Sequence, residues 1–326
     1  MDYTELVAHF GKPKAKIDFI TLRLPACIRY GADALRFSER ISGRITAPKA
    51  WRGSKDDCLT IHDPTRADLQ FLIDEHHDTE ILALEVAVDF FLKDGSNDPA
   101  RLRALHAWLT TRLFPQRHDR MKGKGRRKYY DEADGTIKTD NLKTRSTDKT
   151  VYWTAPDGFE QVRLYIKDSD DKRPIDRHCV RIEVTLHRGG CQYADVHRVG
   201  LLPHFADNLR RYLSPFFNIA TGIKPKIKRT RTKDPTKALE AARAADKERA
   251  RVERNWTACG AAWAAKHRYA TVPDTKTNRL VGVALKGLRD NLTGLSVPTK
   301  VADWPAWVEA QTSIYQGIGD VESGEV

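Results

Sequence analysis

The segment that most restricts the fold alternates apolar and polar residues with a period of two. Residues 162–167 read Val-Arg-Leu-Tyr-Ile-Lys, and successive side chains of a β-strand point to opposite faces of its sheet. One face would carry Arg163, Tyr165 and Lys167, and the apolar face would pack on a core. Cations beside a tyrosine can bind a phosphate and lower the pKa of the hydroxyl. A plain solvent-facing strand is the alternative interpretation.

Two further segments place charged residues on one face of a predicted strand. Glu85 and Asp89 share one face of a long hydrophobic run. Arg181 and Glu183 share one face of the alternating segment 180–187. Carboxylates on an apolar strand are unfavourable unless they are paired, solvated or bound to a cation. If the three strands are neighbours, their polar faces meet. Such hard oxygen ligands suit Mg²⁺ or Mn²⁺, and a divalent cation beside a tyrosine can assist attack on a phosphodiester.

The charge balance favours a polyanionic partner, most simply nucleic acid. The 326 residues carry a net charge of +12, and basic stretches can follow a DNA backbone. The candidate DNA contacts are Arg117, Arg120, Lys122, Lys124, Arg126, Arg127, Lys128, Arg181, Lys224, Lys226, Lys228 and Arg229. A solvated loop is the alternative for the stretch 117–128.

Cysteine usage and hydropathy bear on the compartment. The five cysteines are widely spaced and form no CxxC pair, which argues against a disulfide framework or a zinc ribbon and favours a reducing cytoplasm. No apolar run approaches the length of a transmembrane helix, so no membrane association is expected.

The order of predicted elements indicates an α+β fold. We expect a central antiparallel or mixed sheet with flanking helices, followed by a helical C-terminal region. The predicted organisation is an α+β domain over residues 1–220, a basic linker over 221–235 and a helical region over 236–326. A Thr65 N-cap with Asp68 at the capping-box position predicts one helix start.

Three motifs occur in an order that resembles a known family. Residues 84–90 read Leu-Glu-Val-Ala-Val-Asp-Phe, residues 150–152 precede the strand at 162–167, and residues 180–186 read Val-Arg-Ile-Glu-Val-Thr-Leu. This order is similar to that of the replication initiation factor family of rolling-circle plasmids and filamentous phages, which includes some conjugative-element relaxases. The resemblance spans about residues 17–215.

The resemblance implies a rolling-circle initiator that nicks and joins DNA through a covalent 5′-phosphotyrosine. Tyr165 matches the nucleophile, and Lys167 and Arg163 would contact the scissile phosphate or assist the leaving group. The implied ligands for Mg²⁺ or Mn²⁺ are Glu85, Asp89 and Glu183. The implied partners are replication-origin DNA, single-stranded or supercoiled, the host replication helicase and polymerase, and a second copy of the chain in a homodimer.

Other functions also account for parts of the pattern. A non-enzymatic DNA-binding regulator would use the same basic surface. A tyrosine recombinase would need its tyrosine after a His-x-x-Arg element, but Tyr165 precedes the only matching piece, which begins at His178. Tyr129, Tyr130 and Tyr152 are rival nucleophiles.

Overall fold

The fold is built on one large antiparallel sheet with helices beside it, as the α+β prediction requires. The computed structural model describes residues 10–23, 37–46, 58–113, 115, 127–131, 136–139, 150–154, 159–170, 173–227, 234–266 and 269–297. The last part of the predicted helical region, residues 298–326, lies outside these ranges.

Nine strands form the main sheet, in the order β2-β3-β1-β4-β9-β8-β7-β5-β6, and all neighbours are antiparallel. They are β1 (Lys14–Arg23), β2 (Arg44–Thr46), β3 (Cys58–His62), β4 (Glu80–Phe90), β5 (Arg127–Asp131), β6 (Thr136–Thr139), β7 (Val151–Thr154), β8 (Glu160–Asp170) and β9 (Arg173–His187). The strands predicted to share a polar face, β4, β9 and β8, are direct neighbours. The hypothesis that they adjoin in one sheet is therefore confirmed.

The described helices follow or connect these strands. They are α1 (Arg66–His76), α2 (Pro99–Arg112), α3 (Arg188–Tyr193), α4 (Leu202–Leu213), α5 (Pro235–Lys266) and α6 (Thr275–Leu292). Helix α1 begins as predicted: Thr65 accepts from the Asp68 amide, and Asp68 accepts from the Thr65 amide in return.

The hydrophobic core lies on one face of the sheet, between the strands and the helices. Val162 and Leu164 of β8 and Leu102, Leu105 and Leu109 of α2 are at most 1% exposed and belong to one cluster. Burial of each such side chain stabilises the fold by roughly 1.5–3 kcal/mol. The opposite face of β4, β8 and β9 is left to polar residues, as an antiparallel sheet allows.

The C-terminal elements divide between two packing environments. Helix α6 contributes Val281, Leu285 and Leu288 to the main core. A short second sheet, β10 (Ala220–Ile223) with β11 (Thr271–Pro273), accompanies a separate small cluster that includes Trp263 of α5. The proposed division into domains at residue 220 stays a prediction, and α6 packs on the first of its parts.

The stretch expected to be a basic loop contains strands. Strand β5 begins at Arg127 and pairs with both β6 and β7, so the end of the predicted loop extends the main sheet. The sequence pattern missed β5 because Arg, Lys and Tyr dominate it, and it missed β6 because that strand has only four residues, Thr-Ile-Lys-Thr.

Candidate metal and tyrosine site

Strand register brings the predicted polar residues together in two adjoining rows. Arg163 of β8 pairs with Glu183 of β9, and two residues along the strands Tyr165 pairs with Arg181. On the other side of β9, Arg181 pairs with Asp89 of β4. Directly paired residues project from the same face of a sheet, so the three strands do combine their polar side chains.

Three carboxylates form a compact group at the centre of this face. Asp18, Glu85 and Glu183 each offer an oxygen, and these oxygens lie within 4.8 Å of one another. Glu85 and Glu183 are each 1% exposed. Two of the three predicted metal ligands therefore belong to the group, and Asp18 stands where Asp89 had been expected.

Asp18 lies at a β-bulge in β1. Ile17 pairs with Val86 and Phe19 pairs with Glu85, which leaves Asp18 as the extra residue of β1. Alternation puts Asp18 on the same face as Lys14 and Lys16, which pair with Asp89 and Ala87. After the bulge, Phe19 also lies on this face, opposite Glu85. The signal in the sequence was the alternation of charged and apolar residues over 14–18, but the pairing of β1 with β4 could not be read from it.

Asp89 has a different role because Arg181 occupies both of its oxygens. Arg181 donates from Nε to Asp89 Oδ1 at 2.6 Å and from Nη2 to Oδ2 at 2.8 Å. Its Nη1 donates to Asp18 Oδ1 at 2.7 Å. Arg181 is 3% exposed, so the structure does not place it on a DNA-facing surface as the sequence suggested. It holds two carboxylates in position instead.

Arg163 is the cation closest to the remaining two carboxylates. Its Nη2 lies 2.8 Å from both oxygens of Glu85 and 2.6 Å from Glu183 Oε2. Thr185 Oγ1 also donates to Glu85. The contact between Arg163 and Glu183 lacks hydrogen-bond geometry, so Glu183 Oε2 is buried without a hydrogen-bond donor among the described residues.

The carboxylates repel one another despite this cation. Burial, and then the charge of Glu183, raise the pKa of Glu85 to about 7, although Arg163 and Thr185 oppose the shift. A divalent cation would favour the charged carboxylates and give Glu183 Oε2 a partner. The three oxygen donors therefore fit Mg²⁺ or Mn²⁺.

Tyr165 is bonded directly to the carboxylate group. Its hydroxyl donates to Glu183 Oε1 at 2.5 Å. Burial first, and then the negative charge of Glu183, raise the pKa of Tyr165 well above its ordinary value. The expectation that neighbouring cations lower this pKa is wrong for the described structure, because Arg163 is engaged by two carboxylates and Lys167 Nζ lies 3.7 Å from Asp170 Oδ1.

The remaining candidate DNA contacts are spread over other parts of the chain. Lys224 and Lys226 are exposed after β10, and Lys226 Nζ lies 4.5 Å from the centre of the Tyr269 ring. Arg127 and Lys128 are in β5. Seven candidates lie outside the described residues: Arg117, Arg120, Lys122, Lys124, Arg126, Lys228 and Arg229.

Comparisons with known proteins give little beyond this geometry. No protein-family model matches the chain, and no curated protein does. A solved structure of a rolling circle replication initiator protein from Geobacillus stearothermophilus is similar over 72% of this chain and 96% of that one, at 16% identity and a TM-score of 0.30. This likeness is too weak to bear on activity.

The helices of the described structure also bear on membrane association. None of those helices combines the length and the apolar character that a membrane-spanning helix requires.

The rival tyrosine Tyr152 is also close to the site. It pairs with Arg163 across β7 and β8 and is half-buried. The Tyr165 hydroxyl donates directly to a carboxylate of the three-membered group.

Proposed function

We propose that this chain is a rolling-circle replication initiator that nicks one DNA strand through Tyr165. The observation that carries the proposal is the hydrogen bond from the Tyr165 hydroxyl to Glu183, a buried member of the three-carboxylate group. A nucleophile bonded to a base, with that base held by further groups, is the arrangement that covalent catalysis requires. Arg163 and Glu183 are in charge contact at 2.6 Å, which fixes the base.

The proposed reaction is a transesterification at phosphorus. Glu183 accepts the phenolic proton at Oε1 as Tyr165 Oη attacks the scissile phosphorus. A bond forms between Oη and phosphorus, and the bond from phosphorus to the 3′ oxygen breaks. Lys167 donates a proton to that oxygen, which leaves a free 3′ hydroxyl and a 5′-phosphotyrosine. A bound divalent cation would polarise the phosphoryl oxygens and offset the charge of the carboxylates.

The other residues hold this arrangement in place. Arg181 orients Asp18 through Nη1, and Asp89 orients Arg181 through two hydrogen bonds. The Arg163 side chain is 30% exposed, so we propose that its guanidinium contacts a phosphate oxygen. We propose Asp18, Glu85 and Glu183 as the metal ligands, with Asp89 as a positioning residue.

The wider setting follows from the reaction. Origin DNA would be held by the basic residues of the stretches 117–128 and 224–229, and the 3′ hydroxyl would be extended by the host polymerase behind its helicase in the cytoplasm. A homodimer would place two such sites on one origin. These partners stay predictions.

A DNA-binding regulator without catalytic activity is the second candidate. It is favoured by one observation: both oxygens of Glu85 and both of Asp89 are already hydrogen-bonded by protein groups. In that case the ion pairs would have a structural role and no catalytic role.

A covalent-adduct assay separates the two. The protein is mixed with Mn²⁺ and with single-stranded or supercoiled DNA from its own replicon, and the adduct is resolved on a denaturing gel. We expect an adduct that requires Mn²⁺ and disappears in Tyr165→Phe. The matched control is Tyr212→Phe, because Tyr212 also donates to a carboxylate, Asp195, at 2.5 Å but lies in α4.

Each component of the proposal has an outcome that contradicts it. An adduct that persists in Tyr165→Phe and is lost in Tyr152→Phe would transfer the nucleophile to β7. Nicking that is indifferent to a chelator would contradict the metal site. Sequence-selective DNA binding with no adduct under any of these conditions would favour the regulator.

A further inference from the structure

An aromatic pair continues the polar face beyond the carboxylates. Phe19 of β1 pairs with Glu85 on one side and with His62 of β3 on the other. Because directly paired residues share a face, both rings project from the face that carries Glu85. Their centroids are 6.1 Å apart and their planes are tilted by 60°.

Phe19 is an apolar side chain outside the core. Its neighbours Ile17 and Ile20 are buried in the main hydrophobic cluster, but Phe19 is half-buried and belongs to neither hydrophobic cluster of the described chain. The bulge at Asp18 causes this, since it places Phe19 on the polar face together with the carboxylate. A phenyl ring at this position can stack against a planar group of a ligand.

The residues around the Phe19 and His62 rings indicate which class of ligand would bind them. Toward the sheet edge, His62 pairs with the exposed Arg44 of β2. The His62 ring is fixed by a 2.8 Å hydrogen bond between Nε2 and Thr46 Oγ1. The row thus runs from a cation through two rings to a carboxylate of the candidate metal group. Cations along a strand's path with interleaved aromatic rings suit single-stranded nucleic acid.

We propose that Phe19, flanked by His62, stacks a nucleobase of single-stranded DNA beside the phosphate held at the carboxylate group. The proposal rests on the proposed function for the identity of the nucleic acid. Neighbouring strands are about 4.8 Å apart, so Phe19 lies one strand from Glu85, within the span of a single nucleotide. Any base can stack on an aromatic ring, so the subsite would bind single-stranded DNA without sequence specificity.

The test measures binding without nicking. In a Tyr165→Phe background with Mg²⁺ present, a short mixed-sequence DNA strand containing 2-aminopurine is titrated with protein. Stacking on an aromatic ring quenches 2-aminopurine, so the titration reports both affinity and stacking. We expect Phe19→Leu to weaken binding by about 5- to 150-fold and to reduce the quench. Phe19→Trp should retain both, which separates lost stacking from misfolding.

A matched substitution elsewhere controls for general effects. Phe71 of α1 is also half-buried and makes ring contacts, with Phe37 and His76, among the helices. Phe71→Leu should leave binding unchanged. Equal affinity and quench in Phe19→Leu and its parent would overturn the proposal, and so would tighter binding of an RNA strand of the same sequence. These outcomes are independent of the adduct assay, because DNA stacking on Phe19 without any adduct would contradict only the nicking function.

Discussion

Replacement of Arg163 by methionine tests whether this cation and a metal ion act on the same carboxylates. Arg163 contacts Glu85 and Glu183, which are each 1% exposed. Removing one partner of a buried ion pair costs roughly 3–5 kcal/mol. Since the Arg163 side chain is 30% exposed, we expect a loss near the lower limit, about 3 kcal/mol, in the free energy of unfolding at pH 8 in chelator.

The loss of unfolding free energy in Arg163→Met should depend on pH and on bound Mn²⁺. Glu85 already has a pKa of about 7 with Arg163 present, and removal of the cation raises it further. Proton uptake by Glu85 therefore limits the destabilisation at pH 6. A ligand at a hundred times its dissociation constant stabilises the folded state by about 2.7 kcal/mol. Mn²⁺ should bind Arg163→Met more tightly than the parent, because the competing guanidinium is absent, and should recover much of the loss.

Urea unfolding in chelator and in Mn²⁺ checks both expectations. The control is Arg23→Met, since Arg23 pairs with Glu80 at 2.7 Å where both side chains are at least 40% exposed. Such a surface pair contributes at most about 1 kcal/mol. Our account of the site would be refuted if Arg163→Met lost no more stability than Arg23→Met, or if Mn²⁺ stabilised the variant less than the parent.

Four further substitutions test how the surrounding fold is held. Thr65→Ala removes the N-cap of α1 and should lower the urea-derived unfolding free energy by about 1 kcal/mol. Leu105→Ala opens a cavity at a fully buried position and should cost about 2–5 kcal/mol by the same assay. Gly260 has φ +62, and a Cβ there would lie 2.0 Å from Thr111 O, so Gly260→Ala should lower the thermal midpoint, whereas unchanged melting would contradict the close approach of α5 to α2. Burial and a neighbouring arginine lower the pKa of His197, so the parent should lose stability as the pH falls below about 6.5, and urea midpoints of His197→Gln at pH 7.5 and 5 should differ less.

Local periodicity was sufficient to predict the strands that form the site. Alternation places Arg163 and Tyr165 on one face of β8, and the same rule places Glu183 and Glu85 on theirs. This works because side-chain direction in a strand follows from backbone geometry within a few residues. The fold class followed from the same patterns. The pairing of β4 with β9 and β8 joins distant segments, and for it the sequence offered only a hypothesis.

The strand faces that carry the tyrosine and two of the carboxylates could be predicted from the sequence alone, and the meeting of these faces in one sheet was a hypothesis. Tertiary structure alone decided that Asp18 joins them, since it depends on the pairing of β1 with β4. It also decided that Arg181 ties Asp89 to Asp18, and that burial beside Glu183 raises the pKa of Tyr165. These outcomes depend on which charged groups lie close together in a buried region. Interactions between charges are strong there, so the pKa values and ion pairs are set by spatial neighbours and not by neighbours in sequence.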